Sequence, residues 1–416
     1  MSVNVGGEWE ERLWWGVGAW PVGLLSYRYW RWLWVHDFGW QYKDFNGVTV
    51  DKALTVIGVG GSDLVSYSAL SVFPNVGPAA LVVEDLPLGD VVRIAGITFA
   101  SMPANNLAPT AVALSNCAGM VILSDVICQG GTSDFGESKG AGVIFQCANV
   151  VLDRCEFTAA PNASYQGVGQ AGLYMQDSTV QMNNSTVDGA NGSNFFSTKV
   201  TPGGPGIWAE TSTLRMARST VQGGVGGAES FLLPNPVPLF FDGGPGIKAD
   251  ASTVHLSGGG QNQTKGGKGG LSTFGGGSFS ALGGSGLVLD ATSLATRAAD
   301  VLFVGGLSGD GSSQAPAVDN QGTYSPLGDV FTTLEVDEGV VALGTTLSYT
   351  LEAEPNSVIF TRYSLGVGPP TAFPGIHGLS YLNLITMRPL PDVLLDASGT
   401  GQLSSTVPSA PFLVGV

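Results

Sequence analysis

Charge is the scarcest property of this chain. Only 12% of its 416 residues are charged, about half the roughly 25% of an average domain. The balance is one-sided, 17 Lys+Arg against 33 Asp+Glu, for a net charge of −16. An acidic chain without basic runs repels phosphate backbones, which excludes nucleic acid as a partner. Only three His (His36, His255, His377) and four Cys (Cys117, Cys128, Cys147, Cys155) are present, and no cysteine has metal-ligand spacing. Long apolar runs are missing too. The best candidate, residues 13–25, holds Pro21 and three glycines, so no transmembrane helix is expected. The first residues carry Glu8, Glu10 and Glu11 where a signal peptide has a basic region, so none is expected. The 44% hydrophobic content argues against disorder. The 62 glycines follow no G-X-Y period, which excludes collagen.

What is abundant is repetition. Segments beginning at Gly142, Gly172, Gly206, Gly246 and Gly286 align without gaps over their first dozen residues. Their spacing of about 30 to 40 residues is that of a solenoid. Within each, apolar residues alternate: Val143/Phe145, Leu173/Met175, Ile207/Ala209, Ile247/Ala249 and Leu287/Leu289, then Val150/Leu152, Val180/Met182, Leu214/Met216, Val254/Leu256 and, more weakly, Leu294/Thr296. A third set, Cys155/Phe157, Ser185/Val187 and Ser219/Val221, fades thereafter. Period-two pairs between polar corners predict short half-buried strands, three to a coil. The predicted fold is all-β, a parallel β-helix solenoid over residues 45–315, its ladder running to about residue 310.

Open ends of such a solenoid need covering. Residues 1–44 hold eight of the nine tryptophans and read as an N-terminal cap, in preference to a membrane-interface segment, because the basic polar face of an interfacial helix is missing. Residues 316–416 read as a small C-terminal β-sandwich-like module, with strands expected at 331–336, 346–352, 357–363 and 393–396. The G-[IVL]-x-[ALMF] repeat resembles the right-handed parallel β-helix proteins of the pectin-lyase-like class, and the C-terminal stretch LLDASGTGQLSSTVPSAPFLVGV resembles the modules that end secreted bacterial members. That resemblance implies an extracellular or cell-surface setting. It also implies what catalysis would look like: grouped Asp with nearby His or Arg in hydrolases, Ca²⁺-binding carboxylates with an Arg base in lyases.

Outward positions form columns in this reading. One is Gln146, Gln176, Glu210, Asp250 and Asp290; its neighbour is Ile144, Tyr174, Trp208, Lys248 and Val288; a third is Val151, Gln181, Arg215, His255 and Ala295. Stacked carboxylates repel unless a cation or proton intervenes. Glu210, Asp250 and Asp290 are therefore the candidate catalytic or Ca²⁺-binding residues, with Trp208 as a sugar platform and Lys248 and His255 as binding residues. Against this, each acid precedes a corner, where Asp ordinarily bonds the turn backbone. Insertions at 129–141, 158–171, 188–205, 222–245 and 258–285 all follow the third strand. They carry apolar side chains, of which Phe231, Phe240 and Phe241 are the candidate contacts. Their glycine stretches (258–260, 266–270, 275–277) read as tight turns. Cys117 and Cys147 fall at one corner of adjacent coils, within reach of a disulfide.

The preferred functional expectation is a non-catalytic surface, adhesion or structural protein that binds glycan or protein through its stacked corner loops. A polysaccharide lyase or glycoside hydrolase working on the acidic column is the alternative, and a self-assembling subunit a third. No cofactor is expected apart from the candidate Ca²⁺.

Overall fold

The computed structural model describes residues 32–36, 48–66, 79–101, 110–131, 139–160, 169–192, 201–229, 239–257, 263–274, 277–298, 301–326, 333–336, 344–352, 356, 358–359, 361–363, 367–372, 379–382 and 387–406. No helix occurs among them. The chain divides into two compact units. One comprises Met1–Leu256, Gln261–Arg297 and Val301–Ser325; the other comprises Pro326–Val416 with Ser257–Gly260 and Ala298–Asp300.

The first unit is the expected parallel β-helix. The first strands of successive coils form a nine-stranded sheet, from Val48–Val50 through Ala171–Gln176, Ile207–Glu210 and Ile247–Asp250 to Val318–Asn320. Second and third strands belong to a sixteen-stranded sheet, because Val91–Ser101 runs unbroken through the second corner and pairs with both series. Equivalent residues stack about 4.8 Å apart, so each apolar column is a continuous ladder. Val92, Val121, Val150, Val180, Leu214, Val254 and Ala295 form one such inward column, all fully buried. Each of the larger side chains contributes about 1.5–3 kcal/mol. The ladder outruns its expected end, since Val318–Asn320 and Thr323–Pro326 still pair on it. At the other end Trp32–His36 adds a parallel strand to Leu54–Ser66. The remaining tryptophans of residues 1–44 lie outside the described residues.

Three expectations of register need correction. Gly142 faces Leu173, not Gly172, so Val143 faces Tyr174 and Phe145 faces Gln176. Space explains the slip: a Cβ on Gly142 would meet the Phe157 ring at 2.6 Å. Glycine therefore takes the inward position under that ring, Ile144 points inward, and Phe145 is left partly exposed. Secondly, the corner after Leu289 is one residue longer than the others. His255 consequently faces Thr296 and not Ala295, and Ala295 and Arg297 replace Leu294 and Thr296 in register with Val254 and Leu256. Thirdly, 258–285 is not wholly insertion. Gln263–Lys265 is a ladder strand whose Thr264 continues the Phe157, Val187, Val221 column to Phe303.

Corners are built by left-handed residues and buried serines. Gln146, Asp177, Thr211 and Ala251 turn the first corner and Asp125, Arg154, Asn184 and Arg218 the second, with φ of 47–52°. One residue on, a hydroxyl takes over the backbone bonding. Cys147 N donates to Ser178 Oγ, Ser178 N to Ser212 Oγ, Ser212 N to Ser252 Oγ and Ser252 N to Ser293 Oγ, at 3.0–3.1 Å. Ser212 Oγ in turn donates to Glu210 O at 2.7 Å. A shorter ladder runs from Cys155 N through Ser185 to Ser219. Ser212→Ala leaves the buried Ser178 amide without an acceptor, so a loss of about 1–3 kcal/mol is expected; urea denaturation of the two proteins measures it. Cys117 and Cys147 begin the first ladder as free thiols in hydrogen-bond contact, not as a disulfide.

The second unit contains an antiparallel three-stranded sheet of Thr333–Val336, Thr346–Glu352 and Thr400–Thr406. Val358–Ile359 pairs with Val393–Leu394, and Arg362–Tyr363 with Arg388–Pro389. Leu351, Val393, Leu395 and Leu403 form its core, with Tyr349, Ile359 and Leu390 against them.

Candidate functional site

The acidic column exists, with one substitution. Glu210 faces Asp250 and Gln176, but the next residue down is Phe145, not Gln146. Tyr174, Trp208, Lys248 and Val288 stack beside it as expected, continued by Val143 and not by Ile144.

Each carboxylate, however, is taken by a different protein partner. Tyr174 Oη donates to Glu210 Oε2 at 2.5 Å, accepts from Lys139 Nζ at 2.8 Å, and lies 2.8 Å from Gln176 Oε1. Asp250 Oδ2 accepts from Trp208 Nε1 and pairs with Lys248 Nζ, both at 2.8 Å. Asp290 is spent on its own corner: it accepts from Thr292 N, Ser293 Oγ and Ala251 N. These bonds, that from Ser293 first, pull its carboxyl down to about 2. Serines perform the turn-bonding at the other two corners, which is what leaves Glu210 and Asp250 for the outer face. Among the described residues no group of three acid, His or Cys side chains could hold a metal ion.

Trp208 is not an open platform. Lys248 Nζ lies over its ring at 4.3 Å from the centroid and Lys139 Nζ at 5.9 Å. Tyr174 packs edge-on at 5.5 Å and 81°. Tyr174 is itself buried at 1% exposure although it stands on the outer face, among Val143, Ala171 and Trp208. Burial, then the bond to Glu210, pushes its hydroxyl well above the usual range. The lattice is thus a second, polar-rimmed core on the outside of the sheet. Its Lys139, within an insertion, carried no sequence signal. His255 stands elsewhere, on the sixteen-stranded sheet, with Nδ1 2.7 Å from Thr296 Oγ1.

The corner insertions hold an arrangement the sequence reading took for tight turns. Outgoing segments 188–192, 222–227, 265–270 and 304–309 and returning segments 201–206, 241–246, 281–286 and 315–317 bond to one another mainly through backbone, with Asn191 Oδ1 accepting from Val225 N and Asp242 Oδ1 from Leu282 N. Ala190 N donates to Gln170 O, Gly204 to Ala190, Gly224 to Gly204, Gly244 to Gly224, Gly267 to Gly244, Gly284 to Gly267 and Gly306 to Gly284, all at 2.7–2.9 Å. Within 222–227 the donors alternate in a three-residue repeat. Gly223 and Gly226 reach the next outgoing segment, Gly224 and Gly227 the returning ones. A repeat of three with every donor leaving the segment is that of extended polyproline-II geometry. The result is a two-layered glycine ridge along one corner of the solenoid. Antiparallel hairpins, Ala228–Glu229 with Leu239–Phe240 and Leu271–Phe274 with Gly277–Ser280, close two of its turns. Val225, Leu271, Phe279, Leu282 and Leu307 are exposed on the ridge and its hairpins. Phe241 is half-buried, whereas Phe231 and the side chain of Phe240 lie outside the described residues.

No protein-family model matches the chain and no curated protein does. Solved structures that match include the enzymatically active domain of tailspike protein 2 of bacteriophage CBA120, 13% identical over 87% of this chain, with a TM-score of 0.34. This chain spans 64% of that structure's length. The A-module of the Azotobacter vinelandii mannuronan C-5 epimerase AlgE4 is 10% identical over 71% of this chain and 86% of its own, with a TM-score of 0.22. A mutant tailspike protein of E. coli bacteriophage HK620, in complex with a pentasaccharide, is 11% identical over 91% and 83%, with a TM-score of 0.18. At these scores the likeness assigns nothing, and the parallel β-helix stands on its strand pairing.

Proposed function

We propose that this chain is a non-catalytic binding protein of an extracellular or cell-surface setting, attaching to a glycan or protein surface through the glycine ridge and its hairpins. The observation that carries the reading is the ridge itself. A connection needed only to begin the next coil would be short. Here each coil makes a long detour, and backbone bonds lock the detours into register. Rigid presentation of connecting segments is how binding surfaces are ordinarily built. In this reading the solenoid is the shaft, residues 1–44 cap one end, and residues 326–416 form a separate module.

Leu271→Ser with Phe279→Ser is expected to weaken retention on a glycan array or on whole cells about tenfold or more, with the β-rich circular dichroism unchanged. Sugar products released by the wild type and lost in Glu210→Gln would replace this reading with the catalytic one.

A further inference from the structure

Positive charge is rare on this chain, and the outer face of the sixteen-stranded sheet gathers part of it. Thr213–Ala217 and Thr253–Ser257 are neighbours there, and Thr253 N donates to Ser212 O. The same step sets Trp208 beside Lys248 across the corner. Arg215 therefore stands beside His255, one strand spacing or about 4.8 Å away along the sheet. Segments 213–222 and 253–265 contain no Asp or Glu at all, yet carry Arg215, Arg218, His255 and Lys265. That is unusual in a chain with 33 acids to 17 Lys+Arg. Among the described residues Arg215 makes no ion pair or side-chain hydrogen bond, while Thr296 Oγ1 fixes the His255 ring through Nδ1 and leaves Nε2 over.

We propose that Arg215 and His255 form an oxyanion site for a phosphate or sulfate group carried on a ligand. A guanidinium fork engages two oxygens of such a group bidentately. A third oxygen of the tetrahedron reaches the imidazole one coil on. A planar carboxylate has only two oxygens, and the fork alone satisfies them. Burial and then Arg215 lower the proton affinity of His255, and a bound anion would offset the Arg215 contribution. The site lies apart from the hairpins, and its failure leaves the preceding proposal standing.

Calorimetric titration of the full chain tests it, with dextran sulfate, inorganic phosphate, inorganic sulfate, carboxymethyl dextran and duplex DNA as probes. Wild type is expected to bind dextran sulfate saturably, with both inorganic ions competing. Arg215→Gln should weaken that binding roughly tenfold to a hundredfold, His255→Gln less, and Arg215→Lys, which keeps the charge without the fork, by an intermediate amount. Leu271→Ser with Phe279→Ser should leave it unchanged. Circular dichroism and melting temperature confirm that each variant is folded. No binding of dextran sulfate by the wild type, equal binding in folded Arg215→Gln and Arg215→Lys, equal affinity for carboxymethyl dextran, or a preference for DNA would each overturn the site.

Discussion

Gly244→Ala is expected to unlock the glycine ridge, at a cost of about 4–5 kcal/mol or more. A Cβ at this position would stand far inside van der Waals contact with Gly204 O and also meet Gly204 C and Gly203 O. All three are backbone atoms, so no side-chain rotation relieves the contact. Moving them disrupts two bonds of the ridge, Gly224 N to Gly204 O and Gly204 N to Ala190 O, adjacent links of one chain of donors. The same geometry holds at Gly224, Gly267, Gly284 and Gly306, where backbone also fills the Cβ position. Gly89→Ala is the control: its φ is 94° and nothing lies within 4 Å of its Cβ position, so only backbone strain of about 1 kcal/mol is expected. Chymotrypsin digestion reads the difference. In Gly244→Ala, cleavage within 222–286 should appear well below the melting temperature of the solenoid. An unchanged cleavage pattern and melting temperature would mean that the ridge yields cheaply and is no rigid scaffold.

This ridge was visible in the sequence as G-G-x-G-G, yet its meaning was not. Glycine in pairs reads as turn chemistry when each loop is considered alone. Only the stacking of eight segments shows that the missing side chains make room for neighbouring backbones. The strand Gln263–Lys265 was lost for a related reason: its inward residue is Thr264, and its character comes from Val221 and Phe303 on either side. By contrast, the inward columns were legible because one alternation recurs in coil after coil. The slip at Gly142 was not, since aligning glycine with glycine hides the Phe157 ring that gives this one its place.

The acidic column was legible as a stack, whereas the partners of its carboxylates were not. The sequence puts Glu210, Asp250 and Asp290 at equivalent positions, but fates are set by neighbours. Asp290 sits in the longer corner and bonds it, while Ser212 and Ser252 bond the corners that Glu210 and Asp250 precede. Tyr174 and Lys139, which decide the fate of Glu210, come from one coil away and from an insertion. No spacing rule connects them.

Tyr174→Ala should give the largest effect of any single change at this lattice. Removing a buried aromatic ring costs about 3–5 kcal/mol, and Trp208 loses its edge-on partner. The hydroxyl adds more, because Glu210 and Lys139 both bond it; hydrogen bonds to charged groups are worth about 1.5–3 kcal/mol. Tyr174→Phe isolates that second part and should cost about 1.5–3 kcal/mol. The two variants also separate by pH. Burial and the bond to Glu210 raise the Tyr174 hydroxyl above its ordinary 10.0 in the folded protein. A group whose folded value is raised contributes its full stability below the unfolded value and loses it as pH climbs beyond. Wild-type stability should therefore fall above about pH 10, and Tyr174→Phe, which has no proton to lose there, should show a flatter alkaline limb. Denaturant midpoints taken between pH 7 and 11 measure this. Equal limbs in the two proteins would mean that the hydroxyl reaches solvent, and with it that Glu210 is open to a ligand after all.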